Sequence, residues 1–229
     1  MAETGSLALA VAGAGSVSAL FRRPAIARAC FVMAHGAGAG MIHSFVESVS
    51  AGLAERGVAT LRYQFPFMEA GSKRPDRPAV AHAAVHAAVA AAGRLAPDLP
   101  LVAGGRSFGG RMTSQAQAAS ALPGVRGLAF LGFPLHPAGR PSSDRGRHLA
   151  DVAIPMLFLQ GTRDALADLH QLRALAEELG ERATLRLLPD ADHAFHVPKR
   201  SGRTDADVRR ELLDLLVAWI DTTILTRSR

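Results

Sequence analysis

The chain has a single cysteine, Cys30, which excludes an internal disulfide framework and suits a reducing compartment. It stands inside the apolar run Ala29-Cys30-Phe31-Val32-Met33, so it reads as a buried strand residue rather than a reactive thiol. Lysine is nearly missing: of 26 basic residues only Lys73 and Lys199 are lysines, and the arginines are scattered. The formal charge of +6 and pI near 10.8 therefore reflect arginine-biased usage, and no nucleic-acid partner is expected. No apolar run approaches the ~20 residues of a membrane-spanning helix. Residues 7–20 imitate the apolar core of a signal peptide, but Glu3 occupies the positive n-region and Arg22-Arg23 lie on the wrong side. A cytoplasmic N-terminal hairpin is expected instead. Repeats, linkers and low-complexity tracts are all missing, and 229 residues at 48% hydrophobic suffice for one domain, residues 1–229, with a full core.

Metal chemistry lacks its parts as well. His82 and His86 are four apart, the spacing of a His-Glu-x-x-His zinc site, but Ala83 stands where the glutamate belongs. No third ligand is evident, and neither a metal nor an organic cofactor is expected.

What is present alternates. Residues 7–11 and 17–21 read as a hairpin around Gly13-Ala14-Gly15, followed by an apolar strand at 29–33. Phe45, Val46, Val49 and Leu53 then mark one face of a helix that Gly57 stops. Further strands fall at 58–62, 99–103, 125–131, 155–160 and 183–188, with helices at 80–95, beyond Met112, and at 166–179. Thr204-Asp205-Ala206-Asp207 resembles a capping box for a terminal helix carrying Val208, Leu212, Leu215, Leu216 and Trp219. Strands alternating with helices mean an α/β fold with a mainly parallel sheet covered on both faces.

The organising stretch is Gly105-Arg106-Ser107-Phe108-Gly109, which is Gly-x-Ser-x-Gly between an apolar strand and a helix. That context is the one a nucleophile elbow requires. The turn is so sharp that the residues two before and two after the serine press on neighbouring backbone, where a Cβ would clash. Ser107 is lifted clear of the sheet, and the Phe108 N–H, at the positive end of the new helix, is aimed at an oxygen under attack.

In an open parallel sheet, sites form at the carboxyl ends of the strands. Three more suspicious segments fall there: His35-Gly36-Ala37-Gly38-Ala39-Gly40, Gly161-Thr162-Arg163-Asp164 and Asp190-Ala191-Asp192-His193. Ser107 needs a base within hydrogen-bond reach, His193 is placed to be that base, and Asp164 to fix its tautomer. Ala37 and Phe108 supply the oxyanion N–H groups. His196 and Asp168 are the alternatives for base and acid. His193 is preferred because it directly follows the Asp-Ala-Asp turn, and Asp168 falls inside the next helix. Asp190 and Asp192 read as turn formers.

These residues, with Arg62-Tyr63-Gln64-Phe65-Pro66-Phe67-Met68-Glu69-Ala70-Gly71, Pro134-Leu135-His136-Pro137 and Gln160 to Asp164, carry a resemblance over nearly the whole chain. The chain resembles α/β-hydrolases of the dienelactone-hydrolase-like branch. Within it, the chain is similar to a small family of predicted hydrolases that also supplies a domain to a chromatin-associated NSL-complex subunit. The resemblance implies an eight-stranded sheet and a triad of Ser107, Asp164 and His193, and little about substrate. Serine replaces the cysteine of dienelactone hydrolases, which argues against that particular reaction.

The expected function is hydrolysis of a small carboxylic ester or thioester through an acyl-enzyme on Ser107; amide cleavage would use the same residues. The rival is a binding or scaffold module that kept the fold. Only residues 133–154 separate two strands above the site, too few for a lid domain, so the acyl pocket should be small. Its expected walls are Phe67, Met68, Leu135 and His136, although His136 could equally anchor its own Pro-rich loop. Arg62, Arg106, Arg111, Arg140 and Arg163 suggest an anionic substrate; Arg62 could instead pair with Glu69.

Overall fold

The computed structural model describes residues 3–226. In chain order it runs through β1 (Glu3–Val11), β2 (Gly15–Arg23), β3 (Ala29–Ala34), α1 (Ser44–Glu55), β4 (Val58–Tyr63) and a single-turn helix α2 (Pro66–Glu69). There follow α3 (Pro78–Leu95), β5 (Leu101–Arg106), α4 (Phe108–Ala119), β6 (Val125–Leu131), β7 (Met156–Gly161), α5 (Leu169–Leu179), β8 (Ala183–Leu188) and α6 (Asp205–Trp219). The strands form one eight-stranded sheet in the order β1-β2-β4-β3-β5-β6-β7-β8. Pairing is antiparallel within the hairpin and between β2 and β4, and parallel everywhere else.

Period-two alternation divides the core into two layers. In β3, Cys30, Val32 and Ala34 face the layer built on α3, α4 and α5. Ala29, Phe31 and Met33 face the layer built on α1 and α6. All six residues of β3, of β4 and of β7 are buried, as strands covered on both faces must be. Burial also removes the Cys30 thiol from chemistry, pushing its pKa up to about 12.

The topology places the site. The chain leaves β3 for β4 on one side, then crosses back to lay β5 on the other. That reversal opens a crevice at the carboxyl ends of β3 and β5, the switch point at which ligands bind in such sheets.

Element ends differ from the sequence reading in instructive ways. Asp168 lies outside α5 as its N-cap, accepting a hydrogen bond from the Gln171 N–H at 3.0 Å, so it is no helix-interior charge. The expected capping box is there: the Thr204 side chain accepts from the Asp207 N–H, and the Asp207 carboxylate accepts from the Thr204 N–H. Between β6 and β7 the only regular structure is a 3₁₀ stretch, Asp144–Asp151, and no lid domain rises over the sheet. Among the described residues no helix is long and apolar enough to cross a membrane.

Candidate active site

The end of β5 turns into α4 with no loop between them. Ser107 takes φ 49° and ψ −116°, a conformation that costs a non-glycine residue on the order of 1–3 kcal/mol and persists only where the surroundings impose it. The flanking glycines show what imposes it. A Cβ on Gly105 would stand 2.1 Å from the Ala34 carbonyl oxygen, and one on Gly109 would stand 2.4 Å from that of His35. Only glycine permits β5 and α4 to approach the end of β3 this closely.

Two further strand ends deliver the partners. His193 Nε2 lies 2.8 Å from Ser107 Oγ, and His193 Nδ1 lies 2.7 Å from Asp164 Oδ2. An ionised carboxylate only accepts, so Nδ1 carries the proton and Nε2 offers its lone pair to the serine hydroxyl. Asp164 is 7% exposed and fully engaged: Oδ2 also accepts from Gln160 Nε2 at 2.5 Å, and Oδ1 from the Leu166 N–H at 2.8 Å. The loop bearing His193 is tied by Asp192, whose Oδ1 accepts from the Ala194 and His196 N–H groups at 2.8 and 2.9 Å. His196 turns elsewhere. Its Nδ1 pairs with Asp205 at 2.6 Å and its side chain is 65% exposed.

On the opposite side, the turn after β3 lies against the serine. A Cβ on Gly36 would come 3.8 Å from Ser107 Cβ. Phe108 is the first residue of α4, so its N–H has no carbonyl of its own helix to meet. His35 braces this turn. Buried and held below the usual histidine pKa by that burial, it donates from Nδ1 to the Gly36 carbonyl at 2.7 Å and accepts from the Phe65 N–H at 3.0 Å.

The residues expected to contact substrate fare differently. Arg62 is 1% exposed and donates to Glu47 and to the Met41 carbonyl, so it presents nothing to a ligand and does not pair with Glu69. Glu69 instead accepts from Ser18 Oγ and N–H. Leu135 is sealed in the core. His136 is buried as well, donating to the Pro137 carbonyl at 2.8 Å and accepting from the Asp168 N–H at 2.7 Å, which makes it an anchor for its loop. Phe67 packs edge-on to Phe108 with centroids 6.0 Å apart, and Met68 is half-buried. Arg140 and Arg163 are exposed, while Arg111 and Arg106 are partly buried. Arg106 lines a cleft together with Phe45, Phe195 and Arg209.

Gln160 is the site residue the sequence reading missed. It bridges the Phe133 N–H, accepted at 2.9 Å, and the Asp164 carboxylate, holding the acid from behind. The signal was available: a glutamine ending the run Met156-Leu157-Phe158-Leu159 is a polar side chain where the pattern demands burial.

A mainly parallel sheet with helices on both faces, a serine on a strained strand–helix turn, and a histidine and an acid from later strand ends together define an α/β-hydrolase. The family described as alpha/beta hydrolase domain matches residues 27–221, and the chain belongs to it. Solved structures agree on the fold. A Coxiella burnetii α/β serine hydrolase homologue superposes with a TM-score of 0.74 at 19% identity, over 93% of this chain and 96% of that one. A Xanthomonas campestris α/β serine hydrolase without lid gives 0.72 at 23%, over 95% of each chain. Dienelactone hydrolase from Anabaena variabilis gives 0.78 at 17%, over 97% and 98%.

Proposed function

We propose that the protein is a cytoplasmic serine hydrolase that cleaves a small carboxylic ester or thioester through an acyl-enzyme on Ser107. The observation that carries this reading is the unbroken hydrogen-bonded chain from Asp164 through His193 to Ser107, at 2.7 and 2.8 Å. His193 Nε2 removes the hydroxyl proton as Ser107 Oγ attacks the carbonyl carbon, and the imidazolium so formed is stabilised by Asp164. The oxyanion is received by the N–H groups of Ala37 and Phe108, the second strengthened by the dipole of α4. Collapse transfers the proton from His193 to the departing alcohol or thiol. A water deprotonated by the same imidazole then attacks the acyl-enzyme, releasing the acid and restoring Ser107. This route requires neither metal nor organic cofactor. Within the family, the motifs at residues 62–71 and 134–137 support a place beside the NSL-related predicted hydrolases.

The reading is tested with short-chain nitrophenyl esters. The wild type should turn them over, and Ser107→Ala should lose on the order of a million-fold in kcat. A Ser107→Ala protein that keeps even a hundredth of the wild-type rate would place the nucleophile elsewhere.

A further inference from the structure

An open cleft of about 440 Å³ is walled by the start of α1, the end of β5, the turn after His193 and the start of α6. Phe45, Arg106, Phe195, His196, Asp205 and Arg209 line it. Two of its lining residues are chain neighbours of the triad, Arg106 before Ser107 and Ala194 after His193, and a Cβ on Gly36 would lie 3.8 Å from Ser107 Cβ and 4.0 Å from Arg106 Cγ.

Arg106 is held in an unusual way. Its guanidinium carbon sits 4.9 Å above the centre of the Phe45 ring, and that ring lies parallel to Phe195 with centroids 5.5 Å apart. This cation–π contact holds the guanidinium against the ring but consumes none of its N–H donors. Several shielded arginines own a carboxylate: Arg22 and Arg62 share Glu47, Arg56 has Asp214, and Arg203 has Glu211, whereas Arg111 and Arg182 have none among the described residues. Arg106 makes no ion pair among the described residues.

The acids near it are otherwise engaged. Asp164 holds His193, Gln160 and the Leu166 N–H, and Asp192 holds two N–H groups of its own turn. Their charge favours the guanidinium, yet desolvation outweighs it and leaves Arg106 less basic than an arginine in water. Across the cleft, Arg209 faces Asp205, whose two oxygens already bind His196 and the Val197 N–H. The cleft thus carries an oriented, partly desolvated cation with unused donors a residue away from the nucleophile.

We propose that this cleft is a carboxylate-binding subsite, in which Arg106 pairs with an anionic arm of the ester and Arg209 adds supporting charge. It rests on the assignment of Ser107 as nucleophile and deepens it, naming the substrate class as an ester that also bears a carboxylate. A planar guanidinium whose N–H groups are not used by the protein can give a carboxylate two parallel N–H···O bonds.

Matched ester pairs test it. In one pair the acyl arm ends in a carboxylate or in its isosteric primary amide; in the other pair the alcohol arm does. At low salt the wild type should favour the carboxylate in at least one pair by about tenfold in kcat/KM, the size of one charge-assisted hydrogen bond. High salt should shrink that preference. Arg106→Gln should reduce it to within about twofold, Arg106→Lys should retain part of it, and Arg163→Gln, which alters an exposed charge outside the cleft, should leave it in place.

If Arg106 served only to hold Phe45, its loss would slow both members of a pair alike and the ratio would stand. Equal wild-type rates in both pairs, or a preference that survives Arg106→Gln, would overturn the subsite while leaving Ser107 as nucleophile. Should Arg106→Gln fail to fold, the salt titration and Arg106→Lys read the same ratio. Should no ester be cleaved at all, the nucleophile assignment fails first, and calorimetry with succinate and its diamide decides the subsite. Succinate binding about tenfold tighter than the diamide, and weakened in Arg106→Lys, upholds it; equal binding ends it.

Discussion

Ser107 and the glycines beside it fail for different reasons when changed. Ser107→Ala removes one oxygen from a turn whose shape is dictated by its neighbours, so the unfolding free energy should change by less than about 1 kcal/mol while hydrolysis vanishes. Gly105→Val puts carbon where a Cβ would meet the Ala34 carbonyl oxygen at 2.1 Å, and the chain should fail to fold or lose several kcal/mol, read by thermal melting. Gln160→Leu leaves Asp164 short of one donor. It should lower kcat by about 10- to 100-fold with KM little changed, because it loosens the orientation of His193 rather than substrate binding. An equal loss in KM alone would make Gln160 structural. The turn around Ser107 was legible in the sequence because it is made of adjacent residues. Arg62 was misread because its partner Glu47 lies fifteen positions earlier, on another element, and burial of that pair is a tertiary fact.

At the scale of elements, two contacts make separate demands. Glu47 of α1 joins Arg22 of β2 to Arg62 of β4. Although partly desolvated, its carboxyl is held below the usual range by these two guanidinium groups. Glu47→Ala would leave Arg62 charged and buried with no counter-ion and only the Met41 carbonyl to donate to, at a cost of about 1–3 kcal/mol given the exposure of Glu47. Arg62→Met should be better tolerated and should keep kcat/KM within a few-fold, since Arg62 touches no substrate.

The second contact pins the 3₁₀ stretch to α4, with His148 Nε2 2.8 Å from Ser114 Oγ. Burial first, and then the charge of Arg111, push His148 down to about 4. An unfolded histidine titrates near 6.5, so between those values the unfolded chain binds a proton that the folded chain refuses. Stability should fall as pH drops from about 6.5 to about 4, by about 1–3 kcal/mol, and level off below. Urea midpoints at pH 7, 5.5 and 4 should show a shallower acid loss for His148→Gln than for the wild type; parallel curves would remove His148 from the account.

Periodicity marked nearly every strand and helix because local alternation and apolar faces survive in a single sequence. The 3₁₀ stretch did not show, since it is pinned by Ser114 of another element. The N-cap role of Asp168, a local bond from the Gln171 N–H, was hidden because the apolar pattern from Leu166 sets the helix start too early.

For the whole molecule, the strand order was the least legible feature. Nothing in residues 58–63 says that β4 pairs with both β2 and β3, whereas the parallel pairing of β5, β6, β7 and β8 is what sets Ser107, Asp164 and His193 along one edge. The absence of a lid was legible, because a connection of limited length with no long apolar period leaves no material for one. An uncovered site should turn over acetyl and butyryl esters faster than long-chain ones and show no rise in rate at a lipid–water interface. Faster cleavage of palmitoyl esters would contradict it.

The central claim is that Ser107 is a nucleophile activated by His193, and a fluorophosphonate probe tests it without knowledge of the substrate. Intact-mass spectrometry of the wild type should show one adduct, peptide mapping should place it on Ser107, and both Ser107→Ala and His193→Ala should stay unlabelled over the same interval. An adduct elsewhere, no adduct on the folded wild type, or undiminished labelling of His193→Ala would contradict the account.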